Sequence, residues 1–210
     1  MDIIDPKLLP AIKRIIGVGP HYRSLRIEKG LDLQPEEPML FLKNADSITT
    51  ATEIVLSERI SEIYCEVEMG VLIGQEGYQI SQDEALSYIS GCAIVNDITA
   101  VDKLELGQHK MFLNTTPIGP FVKVDSIQDV TIRMSVNGRQ IQNGHTSEMT
   151  FSIYWLIAYI STIMRLKEGD LILTGTPAHP TACKSGDFIE LSSPELGSIR
   201  HTLKQEVLKP

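Results

Sequence analysis

The segment Tyr64–Gly74, YCEVEMGVLIG, decides the fold, because it has the composition of a buried β-strand and yet carries two carboxylates. Side chains alternate between the two faces of a strand, so residues i and i+2 share a face. One face is wholly apolar and consists of Cys65, Val67, Met69, Val71 and Ile73. The other face places Glu66 beside Glu68. Two such charges in contact repel by about 4 kcal/mol at an effective dielectric of about 20, so solvent, basic side chains or a cation must offset them.

The composition is typical of a soluble globular protein. The chain has 210 residues, 42% of them hydrophobic and 22% charged, which is enough to build a substantial core. We expect a single domain over residues 1–210, with an irregular N-terminal part at about 1–60. The net charge of −8 argues against nucleic acid or an anionic membrane as the main partner.

Membrane and secretion signals are not evident in the sequence. No run approaches the roughly 18 apolar residues of a membrane span. The opening segment MDIIDPKLLPAIKR lacks the charged and then apolar pattern of a signal peptide. The three cysteines, at 65, 92 and 183, are too far apart for a zinc or disulfide pattern, so reduced thiols in a cytoplasmic protein are expected.

The apolar pattern predicts more strands than helices. Strands are expected at 39–42, 62–73, 92–97 and 131–136, and within 166–175 and 184–191. Asn137-Gly138 follows the alternating segment TIRMSV and predicts a type I′ hairpin turn. Regular alternation of strand and helix is missing, which favours a β-rich α+β fold over a doubly wound parallel sheet.

Two helices are predicted. Ser81-Gln-Asp-Glu84 is a capping box, and the helix that it begins should end at Gly91. The longest helix is expected from about 147 to 164, packed on the core by an apolar stripe at helical spacing. The stripe consists of Met149, Ile153, Leu156, Ile157, Ile160 and Met164.

A third carboxylate, Asp97, ends the apolar strand CAIVND and is the natural partner of Glu66 and Glu68. Three carboxylates without histidine or cysteine suit a hard cation, Mg²⁺ or Mn²⁺, with Ca²⁺ also possible. The alternative is that Glu66 and Glu68 lie on a solvated strand face while Asp97 caps a loop.

Longer motifs resemble those of the fumarylacetoacetate hydrolase family in order and spacing, from residue 15 to about 200. They are GVGPHYRS (17–24), FLKNADSI (41–48), EVEMGVLIG (66–74), SGCAIVNDITAVD (90–102), TPIGP (116–120), VNGRQIQNGHTSEMTFSI (136–153) and GDLILTGTP (169–177). The resemblance implies a mixed β-sandwich roll, a homodimer, and a divalent cation held at positions that match Glu66, Glu68 and Asp97. It also implies a small 2-oxo acid as substrate, with acylpyruvate hydrolysis, oxaloacetate-type decarboxylation or keto–enol isomerisation as the reaction.

The same resemblance assigns roles outside the carboxylates. Lys110 matches a lysine that adds positive charge near the cation, with a solvated loop lysine as the alternative. Thr176, with Gly175 in the TGTP turn, matches a threonine that binds the substrate carboxylate. Arg23 is a further candidate for holding an anionic substrate, and a solvated arginine is the alternative.

The sequence departs from the family pattern at a catalytic position. The histidine that activates water with a glutamate is replaced by Leu25, whereas the glutamate is present as Glu28. His21 lies four residues earlier and is a candidate substitute, as are His109 and His179. Polar family positions that carry apolar residues here are Leu25, Val101, Leu104 and Leu113.

Two functional hypotheses remain. The first is a metal-dependent enzyme that forms an enolate from a 2-oxo acid, with decarboxylation or isomerisation favoured because neither needs an activated water. The second is a catalytically weak protein of the same fold that keeps the metal and binds a keto acid.

Overall fold

The computed structural model describes residues 12–123 and 126–206. Within them, two α-helices are present, α1 (Arg23–Glu28) and α2 (Ile153–Ile163). The strands in the same part of the chain are β1 (Arg14–Val18), β2 (Leu40–Lys43), β3 (Ile48–Thr49), β4 (Glu53–Leu56), β5 (Ile63–Cys65), β6 (Val67–Ile73), β7 (Ile89–Asn96), β8 (Thr99–Ala100), β9 (Thr116–Pro117), β10 (Thr131–Val136), β11 (Arg139–His145), β12 (Asp170–Leu173), β13 (Thr181–Cys183), β14 (Phe188–Ser193) and β15 (Gly197–Gln205). Short 3₁₀ helices lie at Ala45–Ser47, Ala85–Tyr88, Val101–Lys103 and Thr146–Glu148.

Two five-stranded mixed sheets dominate the fold. The central sheet has the order β2-β1-β12-β6-β7, and the second sheet has the order β11-β10-β14-β15-β4. The pairs β1–β12 and β15–β4 are parallel, and the other neighbours in these sheets are antiparallel. One buried apolar cluster contains residues of both sheets and of α2. The predicted β-rich mixed architecture is therefore confirmed.

The strand predicted at 62–73 is present but divided at Glu66. β5 pairs with β13 and β8 in a separate three-stranded sheet, whereas β6 joins the central sheet. Glu66 lies at the joint, where its N–H donates to Asn96 Oδ1 (3.1 Å) and its carbonyl accepts from Asp97 N (2.9 Å). The chain thus changes sheets at the first carboxylate of the opening motif.

The prediction of an irregular N-terminal part at 1–60 is wrong for the described residues of that range. β1, α1, β2, β3 and β4 all lie there, and β1 pairs with β12 in the centre of a sheet. β1 escaped detection because its segment RIIGV is a nearly continuous apolar run without alternation, as a strand buried on both faces requires. Residues 1–11 lie outside the described residues.

The helix predicted from Ser81 to Gly91 is wrong, although the capping-box contact exists. Ser81 N–H and Oγ–H both donate to Glu84 Oε2, at 3.3 and 2.6 Å. Only a 3₁₀ turn, Ala85–Tyr88, follows, because Gly91 and Ile89 already pair with β6. Strand pairing therefore overrides the local helix signal.

The longest helix begins about six residues later than predicted. Thr150 N–H donates to the carbonyl of His21 (2.9 Å), and Phe151 N–H donates to the His21 ring, so neither bond serves a helix. Ser152 then caps α2 by accepting from Trp155 N (3.1 Å). The predicted core contacts are confirmed, since Ile153, Ile157 and Ile160 are at most 2% exposed.

Candidate active site

The three predicted carboxylates meet at one end of the strands of the central sheet. β6 runs antiparallel to both β7 and β12, so its beginning lies beside their carboxyl ends. Glu68 is on β6 opposite Val95, Asp97 follows β7 directly, and Glu66 precedes β6. One oxygen from each of the three carboxylates can be chosen such that these atoms all lie within 4.8 Å of one another.

Neighbouring hydrogen bonds orient each carboxylate. Thr99 Oγ1 donates to Glu66 Oε2 (2.7 Å). Gly175 N–H, at the end of β12, donates to Glu68 Oε2 (2.8 Å). These bonds leave the other oxygen of Glu66 and Glu68 without a described hydrogen bond, so each side chain retains an oxygen for a ligand.

Two lysines neutralise Asp97. Lys110 Nζ donates to Asp97 Oδ2, to Thr99 Oγ1 (2.6 Å) and to Glu66 Oε2 (3.2 Å). Lys43 Nζ donates to Asp97 Oδ1 (2.5 Å), and its side chain is fully buried. Three carboxylates thus face two ammonium groups, and the ionised cluster keeps one negative charge.

The charge balance within the cluster is unequal. Burial, followed by the negative charges of Asp97 and Glu66, raises the pKa of Glu68 well above its ordinary value. Burial opposes ionisation of Asp97, but the charges of Lys110 and Lys43 hold its pKa below the ordinary value. Burial also opposes the charge on Lys110, yet Asp97 and Glu66 raise the pKa of that lysine. Glu68 is therefore the carboxylate whose negative charge the two lysines compensate least.

The donor set fits a hard divalent cation. All three candidate ligands are oxygens, and the spacing of their atoms suits one ion of the Mg²⁺ or Mn²⁺ kind. Burial is the main cause of the raised pKa of Glu68, and a cation there would offset the repulsion from Asp97 and Glu66 that adds to it.

The loop that follows β12 forms one wall of the cluster. Gly175 has φ +86°, and a side chain there would place its Cβ 2.8 Å from Cβ of His21, so glycine is required. Thr176 is 4% exposed, and its Oγ1 accepts from Gln142 Nε2 (2.9 Å). The Thr176 hydroxyl proton is therefore free to donate to a bound molecule.

His21 is held in a structural role in this conformation. Its Nδ1 lies 2.8 Å from the carbonyl of Thr174, and its Nε2 accepts from Phe151 N (3.0 Å). The ring is thus the neutral Nδ1–H tautomer, and burial lowers its pKa. With both nitrogens engaged, His21 has no lone pair for water activation, which argues against the predicted substitution for the histidine missing at Leu25.

The remaining predicted site residues lie near α1. Glu28 contacts His179, whose backbone N–H donates to Glu28 Oε2 (2.8 Å). Arg23 is exposed and lines a groove of about 820 Å³ with segments 31–35 and 147–151. None of the three carboxylates lines this groove. Arg23 is therefore not assembled with the acidic cluster.

Two residues of the site were missed by sequence reasoning. Lys43 stands at the end of β2 in FLKNADSI, where a lysine after an apolar run gave the only signal. Gln142 is fully buried and connects the site walls: its Oε1 accepts from Val67 N (2.9 Å), while its Nε2 bonds to Thr176. Both residues belong to motifs that resemble the family, FLKNADSI and VNGRQIQNGHTSEMTFSI, but no feature of the sequence assigned them a function.

The comparison with known families gives a direct match. The model of the fumarylacetoacetate (FAA) hydrolase C-terminal domain matches residues 14–204, almost the whole chain. The chain belongs to the fumarylacetoacetate hydrolase family. The resemblance inferred from the motifs is therefore confirmed.

Similar proteins in the fumarylacetoacetate hydrolase family include named enzymes. The chain is 38% identical to oxaloacetate tautomerase YisK of Bacillus subtilis over 211 residues, which cover 91% of this chain and 69% of the relative. It is 34% identical to the mitochondrial oxaloacetate tautomerase FAHD1 of Mus musculus, with 92% of both chains covered. A fumarylpyruvate hydrolase of Pseudomonas aeruginosa, solved in complex with Mn²⁺ and pyruvate, superposes with a TM-score of 0.87 at 26% identity, covering 93% of this chain and 91% of that one.

None of the helices within the described ranges is long and apolar enough to cross a membrane. The cytoplasmic location and the homodimer remain predictions, and the mouse relative is named as mitochondrial.

Proposed function

We propose that this protein is a divalent-metal-dependent enzyme that interconverts the keto and enol forms of a small 2-oxo acid of the oxaloacetate type. The observation that carries the proposal is the convergence of Glu66, Glu68 and Asp97 within 4.8 Å, beside Lys110. Tautomerases of oxaloacetate among the relatives support the choice of reaction.

Glu66, Glu68 and Asp97 would hold one Mg²⁺ or Mn²⁺, with Ca²⁺ as a weaker fit to so compact a site. The Mn²⁺ in the fumarylpyruvate hydrolase complex supports a divalent ion. A cation held there supplies Lewis-acid stabilisation of the negative charge that develops on the 2-oxo oxygen during enolisation.

The protein's own groups would orient the substrate and balance its charge. Lys110 adds a buried positive charge beside Glu66 and Asp97, which favours an anionic substrate. Thr176 would donate its hydroxyl proton to the substrate carboxylate, since its oxygen already accepts from Gln142. Gly175 gives its N–H to Glu68 and would therefore position that carboxylate rather than bind substrate.

Enolisation is favoured over hydrolysis because of the residue at position 25. Leu25 is 3% exposed and belongs to the apolar core, so no base stands at the position where the family pattern has its histidine. Tautomerisation needs only one group that moves a proton. Hydrolysis of an acylpyruvate is the second candidate, favoured by the close superposition on a fumarylpyruvate hydrolase.

The first experiment measures metal binding by calorimetric titration and the decay of enol-oxaloacetate absorbance above the uncatalysed rate. Wild type should bind Mg²⁺ and Mn²⁺ and accelerate the decay. Glu68→Ala should lose metal binding and at least about 100-fold in rate, more than the loss typical of an outer partner of a metal ligand. Glu76→Ala removes an exposed carboxylate elsewhere and should match wild type.

Three results would contradict parts of this proposal. Equal metal affinity in wild type and Glu68→Ala would exclude the carboxylate site. Metal-dependent binding of oxaloacetate without turnover would favour the keto-acid-binding protein. Faster turnover of an acylpyruvate than of oxaloacetate would favour the hydrolase.

A further inference from the structure

The loop after β12 carries a histidine onto a carboxylate of α1. His179 N–H donates to Glu28 Oε2 (2.8 Å), and His179 Nδ1 lies 3.1 Å from the same oxygen. The preceding residue is also tied to α1, since Ala178 N–H donates to Ser24 Oγ (3.2 Å). Two consecutive backbone donors thus hold the histidine against the helix.

This contact sets the state of the His179 ring. A carboxylate oxygen only accepts, so Nδ1 must carry the proton, and in the neutral ring Nε2 keeps its lone pair. The side chain is 72% exposed, and Nε2 has no hydrogen bond among the described residues.

His179 differs in this respect from the histidine predicted as the substitute base. His21 uses both ring nitrogens in bonds to the backbone and is buried. His179 instead has one nitrogen held by a carboxylate and one nitrogen open. That is the arrangement of a general acid–base group.

The same loop connects His179 to the acidic cluster. It begins at Thr174 and Gly175, where the Gly175 N–H bonds Glu68, and it is buried through Pro177. Gly175 and His179 are four positions apart, so their Cα atoms lie within about 14 Å even for an extended chain. The backbone of His179 has φ +67°, a left-handed conformation that a histidine rarely adopts and that turns the chain towards α1.

We propose that His179, backed by Glu28, is the group that transfers the proton in the reaction. The inference rests on the proposed function and adds the proton carrier that Leu25 cannot supply. In the keto-to-enol direction, Nε2 takes a proton from carbon 3. The C–H electron pair becomes the double bond between carbons 2 and 3, and the carbonyl π pair moves to the 2-oxo oxygen. That oxygen then takes the proton back from Nε2, so no other reactant is consumed.

The test compares His179→Asn with a matched control, His145→Gln. Asparagine tolerates the left-handed backbone, so the loop should keep its shape. His145 is also paired with a carboxylate, since its Nε2 lies 3.0 Å from Asp129 Oδ1, but it belongs to β11 and to no part of the site. Tautomerisation rates are measured against pH at saturating Mg²⁺, together with metal affinity and the thermal midpoint.

His179→Asn should lower kcat by about 10²–10⁴-fold, the usual contribution of a general acid–base group, with metal affinity unchanged. It should also remove the fall in kcat/KM on the acid side that a histidine base produces. Glu28→Gln should lower kcat less, because the ring remains while the contact that orients it is weakened. His145→Gln should keep both the rate and the pH profile of wild type.

Rescue separates proton transfer from a structural role. His179→Gly relaxes the backbone and opens a space at an exposed position, so added imidazole should restore part of the lost rate. Lack of rescue in a folded His179→Gly protein would overturn the inference, as would a wild-type rate and pH profile in His179→Asn. Either result would leave the proposed function standing if wild type turns over oxaloacetate. Failure of wild type to turn over any 2-oxo acid would instead refute the proposed function and, with it, the role of His179.

Discussion

Lys43 shows how a single buried charge is retained at the candidate site. Its ammonium group donates to Asp97 Oδ1 (2.5 Å) and to the carbonyls of Ile98 (3.0 Å) and Thr115 (2.7 Å), so all three protons are used. Burial lowers the pKa of Lys43 to about 8, and the charge of Asp97 opposes this shift. The three acceptors stabilise the buried ammonium group, and the ammonium group in turn satisfies the buried acceptors.

Lys43→Met should therefore destabilise the protein strongly. The substitution keeps the apolar stem, but it leaves Asp97 with one cation and removes the lysine donor from the carbonyls of Ile98 and Thr115. We expect the free energy of unfolding to fall by about 3–5 kcal/mol, as when one partner of a buried ion pair is removed. Urea denaturation in the presence of a chelator measures this change without a contribution from bound metal.

The control for Lys43→Met is Lys204→Met. Lys204 pairs with Glu53 at the surface (2.5 Å), and both side chains are about half exposed. Its loss should change the free energy of unfolding by less than about 1 kcal/mol. Similar effects of the two substitutions would contradict the proposed importance of the buried lysine.

Among the elements, local signals succeeded where no distant partner competed. The strand β10 and the turn after it were predicted with their bounds: Thr131–Val136 is a strand, and Asn137 and Gly138 have the positive φ angles (+52° and +80°) of a type I′ turn. The helix predicted after Ser81 is absent because the chain from Ile89 onward pairs with β6 as a strand. The start of α2 moved because His21 binds the backbone before Ser152.

Ser152→Ala tests the observed start of α2. Ser152 Oγ accepts from Trp155 N (3.1 Å), a bond that alanine cannot make. We expect the free energy of unfolding to fall by about 1 kcal/mol, the usual cost of a lost N-cap. Ser147→Ala, at the start predicted from sequence, should change it by less than about 0.5 kcal/mol, since Ser147 is exposed. The opposite order of effects in denaturant titrations would place the functional cap at Ser147.

At the scale of the whole molecule, the sequence could identify the acidic cluster but not its surroundings. Glu66 and Glu68 share a motif and Asp97 follows another apolar strand, so spacing made the three residues candidates, and the family resemblance assigned them to one cation site. The contact between Glu28 and His179 joins residues 151 positions apart, and neither segment contains a signal that predicts contact with the other. Lys43 and Asp97 are likewise 54 positions apart. Such pairs depend on the three-dimensional fold: β2 and β7 are the two outer strands of the central sheet, yet Lys43 at the end of β2 reaches Asp97 after β7.

The two large sheets are linked by a buried polar pair next to the acidic cluster. Asn96, at the end of β7, accepts from Glu66 N with its Oδ1 and donates from Nδ2 to His201 Nε2 (3.0 Å) on β15. The donor leaves Nε2 unprotonated, so the ring is the neutral Nδ1–H tautomer. His201 is 1% exposed, and burial lowers its pKa to about 4.

This pair makes the stability of the protein depend on pH. The unfolded chain binds a proton at His201 near pH 6.5, the ordinary value, whereas the folded protein does so only near pH 4. Stability from the neutral ring is therefore complete above about pH 6.5 and is lost as the pH falls towards 4. The full difference amounts to about 3 kcal/mol, of which about 2 kcal/mol should be lost between pH 7 and 5.

His201→Gln isolates this contribution, since glutamine can still accept from Asn96 Nδ2 but does not titrate. Free energies of unfolding are measured for both proteins from pH 7 to 5 in the presence of a chelator. Carboxylates and other histidines affect both proteins alike, so the difference between the curves reports His201. Wild type should lose about 2 kcal/mol more than the variant over this range. Parallel curves would mean that His201 is protonated without cost in the folded state, and a neutral histidine would then no longer account for the link between the sheets.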